Sequence, residues 1–152
     1  MNKRILNAYL KYAEKQKPIL KNCFKHEEGY LICDAYSIIL LKDNYNIDVV
    51  QDVLSINNMF DNFENNYEFS FKIEELEITS SENEKIKTAK LKDNYEINVT
   101  RLNRIKNIIK ADDIGIVYNM NTSDTTPIIK LTNTKTNERG YLLPMRKYYE
   151  VE

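Results

Sequence analysis

Residues 95–110 read YEINVTRLNRIKNIIK. The first four close the one or two strands expected at 85–99. Thr100 is the expected cap of the helix that follows, which ends near Lys110. At helical spacing Leu102, Ile105, Ile108 and Ile109 share one arc, while Asn103, Arg104, Lys106, Asn107 and Lys110 face away. Arg101 falls at the edge of the apolar arc, so its head group has to reach outward.

A second helix of the same kind is expected at 4–16. Ile5, Leu6, Tyr9, Leu10, Tyr12 and Ala13 share one arc. Arg4, Asn7, Lys11, Glu14 and Lys15 share the other. Pro18 disfavours helical geometry at Lys17 and ends it. Each basic helix is followed by three expected strands: 19–25 and 30–42 after the first (30–42 being one strand or two bent near Asp34–Ala35), and 114–120, 127–132 and 140–146 after the second. Between them lie a helix at 47–63, strands at 67–71 and 76–79, a turn at 80–84, and one or two strands at 85–99 turning at Asp93–Asn94. Gly140 is expected to support a tight turn. The order suits an α+β or layered α/β domain with mostly antiparallel strands.

The length of 152 residues suits one domain. Hydrophobic residues at 42% and charged residues at 30% give an ordinary globular balance. With 11 Tyr, 5 Phe and no Trp, the core has to be rich in tyrosine and isoleucine. Abundant Asn, Lys and Ile fit an AT-rich coding source such as a low-GC bacterium or its phage. No stretch approaches the roughly 20 apolar residues of a membrane span, and the basic N-terminus lacks the apolar core of a signal peptide. The expected location is the cytoplasm, with no membrane partner.

The net charge of −1 hides a strong pattern. Residues 1–25 carry seven bases and one acid, Glu14, whereas residues 43–84 carry eleven acids and one base, Lys72. Residues 99–110 carry Arg101, Arg104, Lys106 and Lys110 with no acid. Exposed helix faces are commonly charged for solubility. Basic faces also attract phosphates by releasing counterions.

Chemistry-bearing motifs are sparse. Cys23, His26 and Cys33 form C-x-x-H-x6-C, with Asp34 a fourth candidate. A closed zinc site takes four ligands, and two half-buried strand thiols beside a surface histidine is the plainer reading. The adjacent Asp112 and Asp113 suit a turn better than a two-metal site. One histidine, no glycine-rich phosphate loop and no paired Ser or Cys motif leave little for nucleophilic chemistry. Neither catalysis nor a cofactor nor a metal is expected.

Residues 95–146 resemble the closing segment of the bacterial DNA sliding clamp, the processivity subunit of DNA polymerase. Three signatures occur in order. YEINVTRL (95–102) is similar to the clamp strand ending in Asn before the last helix. TTPIIKL (125–131) looks like the strand with a proline before an apolar run. GYLLPMR (140–146) is similar to the terminal strand, which ends in Pro-Met-Arg or Pro-Val-Arg. The resemblance implies a single DNA-clamp-like domain over 1–152, with 43–70 as an inserted acidic helix and loop. It implies an α+β fold with two basic helices packed on one face and turned toward duplex DNA, which they would contact without regard to sequence through Arg4, Lys11, Lys15, Arg101, Arg104, Lys106 and Lys110. It further implies a groove at Leu142, Leu143, Pro144, Met145 and Arg146 that receives peptides from polymerases or other replication proteins. Leu143 and Met145 should point to the opposite face from Leu142 and Pro144. Clamp subunits carry three such domains, so a ring of this chain needs about six copies in a homo-oligomer. No strand precedes the first helix, and residues 147–152 run past the usual clamp terminus. The alternative is a protein-interaction module or decoy of the same fold that does not encircle DNA.

Overall fold

The computed structural model describes residues 1–51, 53–72, 78–80, 87–90, 95–123 and 126–146. Helix α1 (Lys3–Gln16) starts where the Asn2 side chain accepts from the backbone N–H groups of Arg4 and Ile5. A 3-10 turn follows at Pro18–Lys21, then strands β1 (Cys23–His26), β2 (Gly29–Cys33), β3 (Ser37–Leu41) and β4 (Val49–Val50). Helix α2 (Leu54–Asn66) leads into β5 (Tyr67–Lys72), β6 (Ile78–Ser80), β7 (Lys87–Lys90) and β8 (Tyr95–Asn98). Helix α3 (Val99–Ile109) precedes β9 (Asp113–Asn119), β10 (Ile128–Thr132), β11 (Arg139–Leu142) and β12 (Met145–Arg146).

Eight strands form one sheet in the order β4-β1-β2-β3-β11-β10-β9-β5, and β12-β8-β7-β6 form a second. Among the described residues every pairing is antiparallel except β1 with β4. The large sheet is built from two like units, α1-β1-β2-β3 and α3-β9-β10-β11. They meet at their third strands, where Ser37 pairs with Leu142 and Leu40 with Arg139. The strand order runs outward from this seam the same way on both sides, so the two units are related by a local pseudo-twofold.

Both faces of the sheet are covered. Ile32, Ile39, Leu41, Ile129, Leu131 and Leu142 pack with Leu6, Tyr9 and Leu10 of α1 and Leu102, Ile105 and Ile109 of α3. Phe24, Leu31, Ile38, Leu40, Val117, Ile128 and Tyr141 pack with Phe60 of α2 on the other face. This explains why β3 reads SIILL without polar alternation: a strand buried on both faces is apolar throughout. Residues 43–70 are therefore more than an acidic loop. They supply the helix that covers the second face and, in β5, an edge strand.

Several expectations at element boundaries are corrected. The strand at 19–25 begins only at Cys23, because Pro18 starts a 3-10 turn. Residues 30–42 form a hairpin: the Asp34 carboxylate accepts from the Tyr36 N–H at 2.8 Å and the Ser37 hydroxyl at 2.9 Å, fixing the turn. The helix expected at 47–63 starts at Leu54, since the β-branched pair Val49–Val50 joins β1 instead. Asn98 rather than Thr100 caps α3, accepting from the Arg101 N–H at 3.1 Å. The strand expected at 140–146 ends at Leu142, and Leu143–Pro144 carries the chain across to the second sheet, where Met145 pairs with Glu96. Proline has no ladder donor, which suits it to that crossing. Gly140 lies inside β11, not in a turn. A Cβ there would sit 3.2 Å from Ile105 Cγ2 and 3.3 Å from the Ile38 carbonyl oxygen, so its absence lets α3 approach the sheet. The strand at 76–79 is described only from Ile78; of the turn expected at 80–84, Ser80 ends β6, and residues 81–84, the turn at Asp93–Asn94 and the extension 147–152 lie outside the described residues.

Candidate functional site

Helices α1 and α3 pack side by side on one face of the large sheet. On α1 the spacing of Arg4, Lys11 and Lys15 puts all three on one stripe, opposite buried Leu6, Tyr9, Leu10 and Ala13, and all three are exposed. Helix α3 differs. Exposed Thr100, Asn103 and Asn107 occupy the position opposite its buried arc. Arg101 and Arg104 lie on the flank next to α1, and Lys106 and Lys110 on the other. Lys106 also sits in the last turn and Lys110 is the C-cap, with a left-handed φ of 52°. Both lysines there favourably meet the helix dipole.

The two arginines hold the seam between the helices. Arg101 Nη2 donates to the Tyr12 hydroxyl at 3.4 Å. Its guanidinium carbon lies 3.6 Å from the centroid of the Tyr36 ring. The Arg104 guanidinium lies 5.8 Å from the centroid of the Tyr12 ring. Lys15 follows Tyr12 by three residues on α1, the spacing of neighbouring helix side chains, so the basic stripe of α1 runs beside this seam.

A second site lies around Leu143. Tyr36, Ile38, Met59, Phe63, Tyr141 and Leu143 are among the side chains lining an apolar groove of about 40 Å³. Tyr36, Met59 and Leu143 are exposed there. Of the five residues expected to line a groove at 142–146, Leu143 alone is in this lining. Leu142 is fully buried against the helix side of the sheet, which confirms that it points away from Leu143. Pro144 is at the crossing, and half-buried Met145 belongs to the second sheet. Arg146 pairs through its backbone with Tyr95. Sequence reasoning missed Tyr36, Met59 and Phe63. The i, i+4 spacing of Met59 and Phe63, in a helix whose charged residues are Asp61 and Glu64 alone, was the available signal.

Helix α2 is fastened beneath this groove by a buried polar network. The Arg139 guanidinium bonds Glu64 through Nε and Nη2, meets Glu28 at 2.7 Å, and donates to the Asn137 carbonyl at 2.8 Å. The Tyr141 hydroxyl donates to the other Glu64 oxygen. Burial, then this carboxylate, pushes the Tyr141 phenol well above its ordinary value. Phe63 stacks on Tyr141 with centroids 5.0 Å apart, and Phe60 meets it edge-on at 5.9 Å.

The C-x-x-H-x6-C residues do not converge. Cys23 belongs to the core layer under α1, Cys33 to the layer under α2. Both thiols are fully buried rather than half-buried, and His26 is buried rather than on the surface. Its Nε2 lies 2.8 Å from Asp61, and its Nδ1 accepts from the Glu28 N–H. Among the described residues no group of three or more metal-ligating side chains comes together. Burial, and next the charge of Asp34, pushes the Cys33 thiol up to about 12, and burial raises Cys23 as well, which disfavours the thiolate at both. Asp34 is engaged in its turn, and Asp112 accepts from the backbone and hydroxyl of Thr134, which lowers its carboxyl from the ordinary range. Among the described residues no helix is long and apolar enough to cross a membrane. No family model, curated protein or solved structure matches the chain.

Proposed function

We propose that this chain is a single-domain, clamp-like accessory protein of DNA replication. In this reading it is a binding protein and not an enzyme. It lays the α1–α3 face along duplex DNA and takes a short peptide from a replication protein in the groove at Leu143. The observation that carries the reading is the architecture. Two helix-plus-three-strand units join at β3 and β11 and place both basic helices on one sheet face. That arrangement is the one implied by the clamp-like signatures at 95–102, 125–131 and 140–146. Arg4, Lys11, Lys15, Arg101 and Arg104 are the phosphate-contacting set, with Lys106 and Lys110 more peripheral.

A labelled duplex titrated at rising salt tests it. Binding should be indifferent to sequence, and log K should fall against log salt by about 0.9 per phosphate contacted. Replacing Arg4, Lys11, Lys15, Arg104 and Lys110 by Glu should abolish binding with the fold intact. Sedimentation of the bound and free protein reports whether a homo-oligomer forms.

A second reading is favoured by one observation, the exposed Tyr36, Met59 and Leu143 around an apolar groove. There the chain is an interaction module that keeps the fold and binds a protein without touching DNA. Absence of duplex binding at low salt, together with peptide-induced shifts at Leu143, selects it.

A further inference from the structure

A separate cleft of about 430 Å³ opens along the flank of α1 opposite Tyr12, with residues 45–48 as its far wall. Leu6, Leu10 and Ile47 give it apolar surface, and Lys3 and Lys21 give it two ammonium groups. Asn7, Asn22 and Asn46 contribute carboxamides, and Asp48 a carboxylate. Lys3 and Lys21 have no ion-pair partner among the described residues. Nor do the side chains of Asn7 and Asn46 make a hydrogen bond there. Lys3, Lys21, Asn7 and Asn46 are thus uncommitted, whereas the Asn22 amide donates to the Ile19 carbonyl at 3.2 Å and the Tyr45 hydroxyl to Glu138.

The far wall is preset. Tyr45 and Asn46 are consecutive left-handed residues with φ of 49° and 64°. Asparagine tolerates that region, but a bulky tyrosine rarely enters it. Four contacts hold the turn. The Tyr45 hydroxyl donates to Glu138 and its N–H to Asp43, both at 3.3 Å. The Asn46 N–H donates to the Asn44 side chain at 3.1 Å and the Ile47 N–H to the Asn44 carbonyl at 2.9 Å. A wall already in place costs a ligand little ordering.

Two ammonium groups with neighbouring amide donors suit a phosphate. The apolar side chains suit a flat ring, and the carboxylate accepts from an amino group or a sugar hydroxyl. The cleft is in the size range of small-ligand pockets. We propose that it binds a nucleotide, with its phosphate at Lys3 and Lys21, its ring against Leu6, Leu10 and Ile47, and Asp48 accepting from the base or sugar. The nucleotide is either free or the 5′ end of a DNA strand. The cleft stands apart from the α1–α3 seam, and the proposal does not depend on the function proposed above.

The test is a set of amide spectra of the full chain titrated with dAMP, with inorganic phosphate, and with a blunt duplex bearing 5′-phosphates. Saturable shifts at Asn7, Asn22, Asn46 and Ile47 with dAMP establish a free nucleotide as ligand. The same shifts with the duplex alone establish a strand end. Lys3→Glu with Lys21→Glu should weaken binding by roughly tenfold or more while the unfolding midpoint holds, because charge-assisted hydrogen bonds are lost from exposed positions. Lys11→Glu with Arg104→Glu should leave the cleft shifts unchanged. The proposal is overturned if neither dAMP nor duplex shifts these residues, if inorganic phosphate binds as tightly as dAMP, or if the Lys3/Lys21 variant binds like the parent.

Discussion

The Arg101 guanidinium lies face-on to Tyr36, 3.6 Å from the ring centroid, and Tyr36 also lines the apolar groove beside Leu143. One tyrosine therefore touches both the basic seam and the groove. Arg101→Ala should cost about 0.5–1 kcal/mol in urea denaturation, the worth of an exposed cation–π pair. It should also shift the amide signals of Met59 and Leu143. Arg101→Lys keeps the charge but loses the planar stack, so it should recover only part of the stability. Parent-like stability in Arg101→Ala, with no shifts across the groove, would show the contact to be incidental.

Glu64 is the partner that makes a buried Arg139 tolerable. Removing one member of a buried ion pair leaves an uncompensated charge. Glu28 is more exposed and only partly replaces it. Glu64→Ala should therefore destabilise by about 3 kcal/mol, and Glu64→Leu combined with Arg139→Met should recover most of that loss. Chemical denaturation of the parent and the two variants decides it. A double variant as unstable as the single would mean that the hydrogen-bond geometry, not the charge, holds α2.

Helix α3 rests directly on Gly140. A methyl group there meets Ile105, the Ile38 carbonyl and Ile39 at 3.2–3.3 Å, and all three residues are buried. Gly140→Ala should cost about 1–3 kcal/mol as overpacking. Ile105→Ala removes the contacting Cγ2, so it should cost less in the Gly140→Ala background than in the parent. A neutral Gly140→Ala would mean that α3 shifts freely on the sheet.

The two basic helices were legible because both are amphipathic at a single period, and periodicity survives without knowledge of partners. Their shared face was legible only through the resemblance. The hairpin at 30–42 was ambiguous because burial on both sides of the sheet erases the alternation that marks strand ends. Residues 43–70 misled for a different reason. Their acidity reads as surface, yet Phe60 and Glu64 face inward, and the charge of Glu64 is answered by Arg139 from far along the chain. Of the groove, Leu143 was legible as the residue alternating with a core leucine. Tyr36, Met59 and Phe63 come from other elements, and no local pattern joins them to it.

Leu142 and Leu143 are chemically identical neighbours in opposite situations. Leu142 is fully buried and Leu143 is exposed at the groove. Leu142→Ala should lose about 2–5 kcal/mol, while Leu143→Ala should lose well under half of that. If the groove takes a peptide, Leu143→Ala should weaken that binding without a matching loss of stability. Half-buried Met145 should fall between the two leucines. Equal losses at 142 and 143 in thermal or urea unfolding would place Leu143 in the core and remove the groove.

The buried thiols give the protein a pH dependence of definite sign. Cys33 stands near 9 in the open chain and is raised to about 12 in the fold, mainly by burial. Between those values the unfolded chain releases a proton that the folded chain keeps. The stabilisation is fully present below about pH 9 and is lost as pH rises toward 12, at about 1.4 kcal/mol per pH unit for one such group. Cys23, Tyr9 and Tyr141 are raised for the same principal reason and add losses of the same sign. Urea denaturation at pH 8, 10 and 11 should therefore show falling stability. Cys33→Ala should reduce the slope by about 1.4 kcal/mol per pH unit, even though it removes some packing at every pH. Both thiols should react with a chromogenic disulfide only as fast as the chain opens. A slope identical in parent and Cys33→Ala, or prompt labelling of the native protein, would place Cys33 in contact with water and out of the core layer beneath α2.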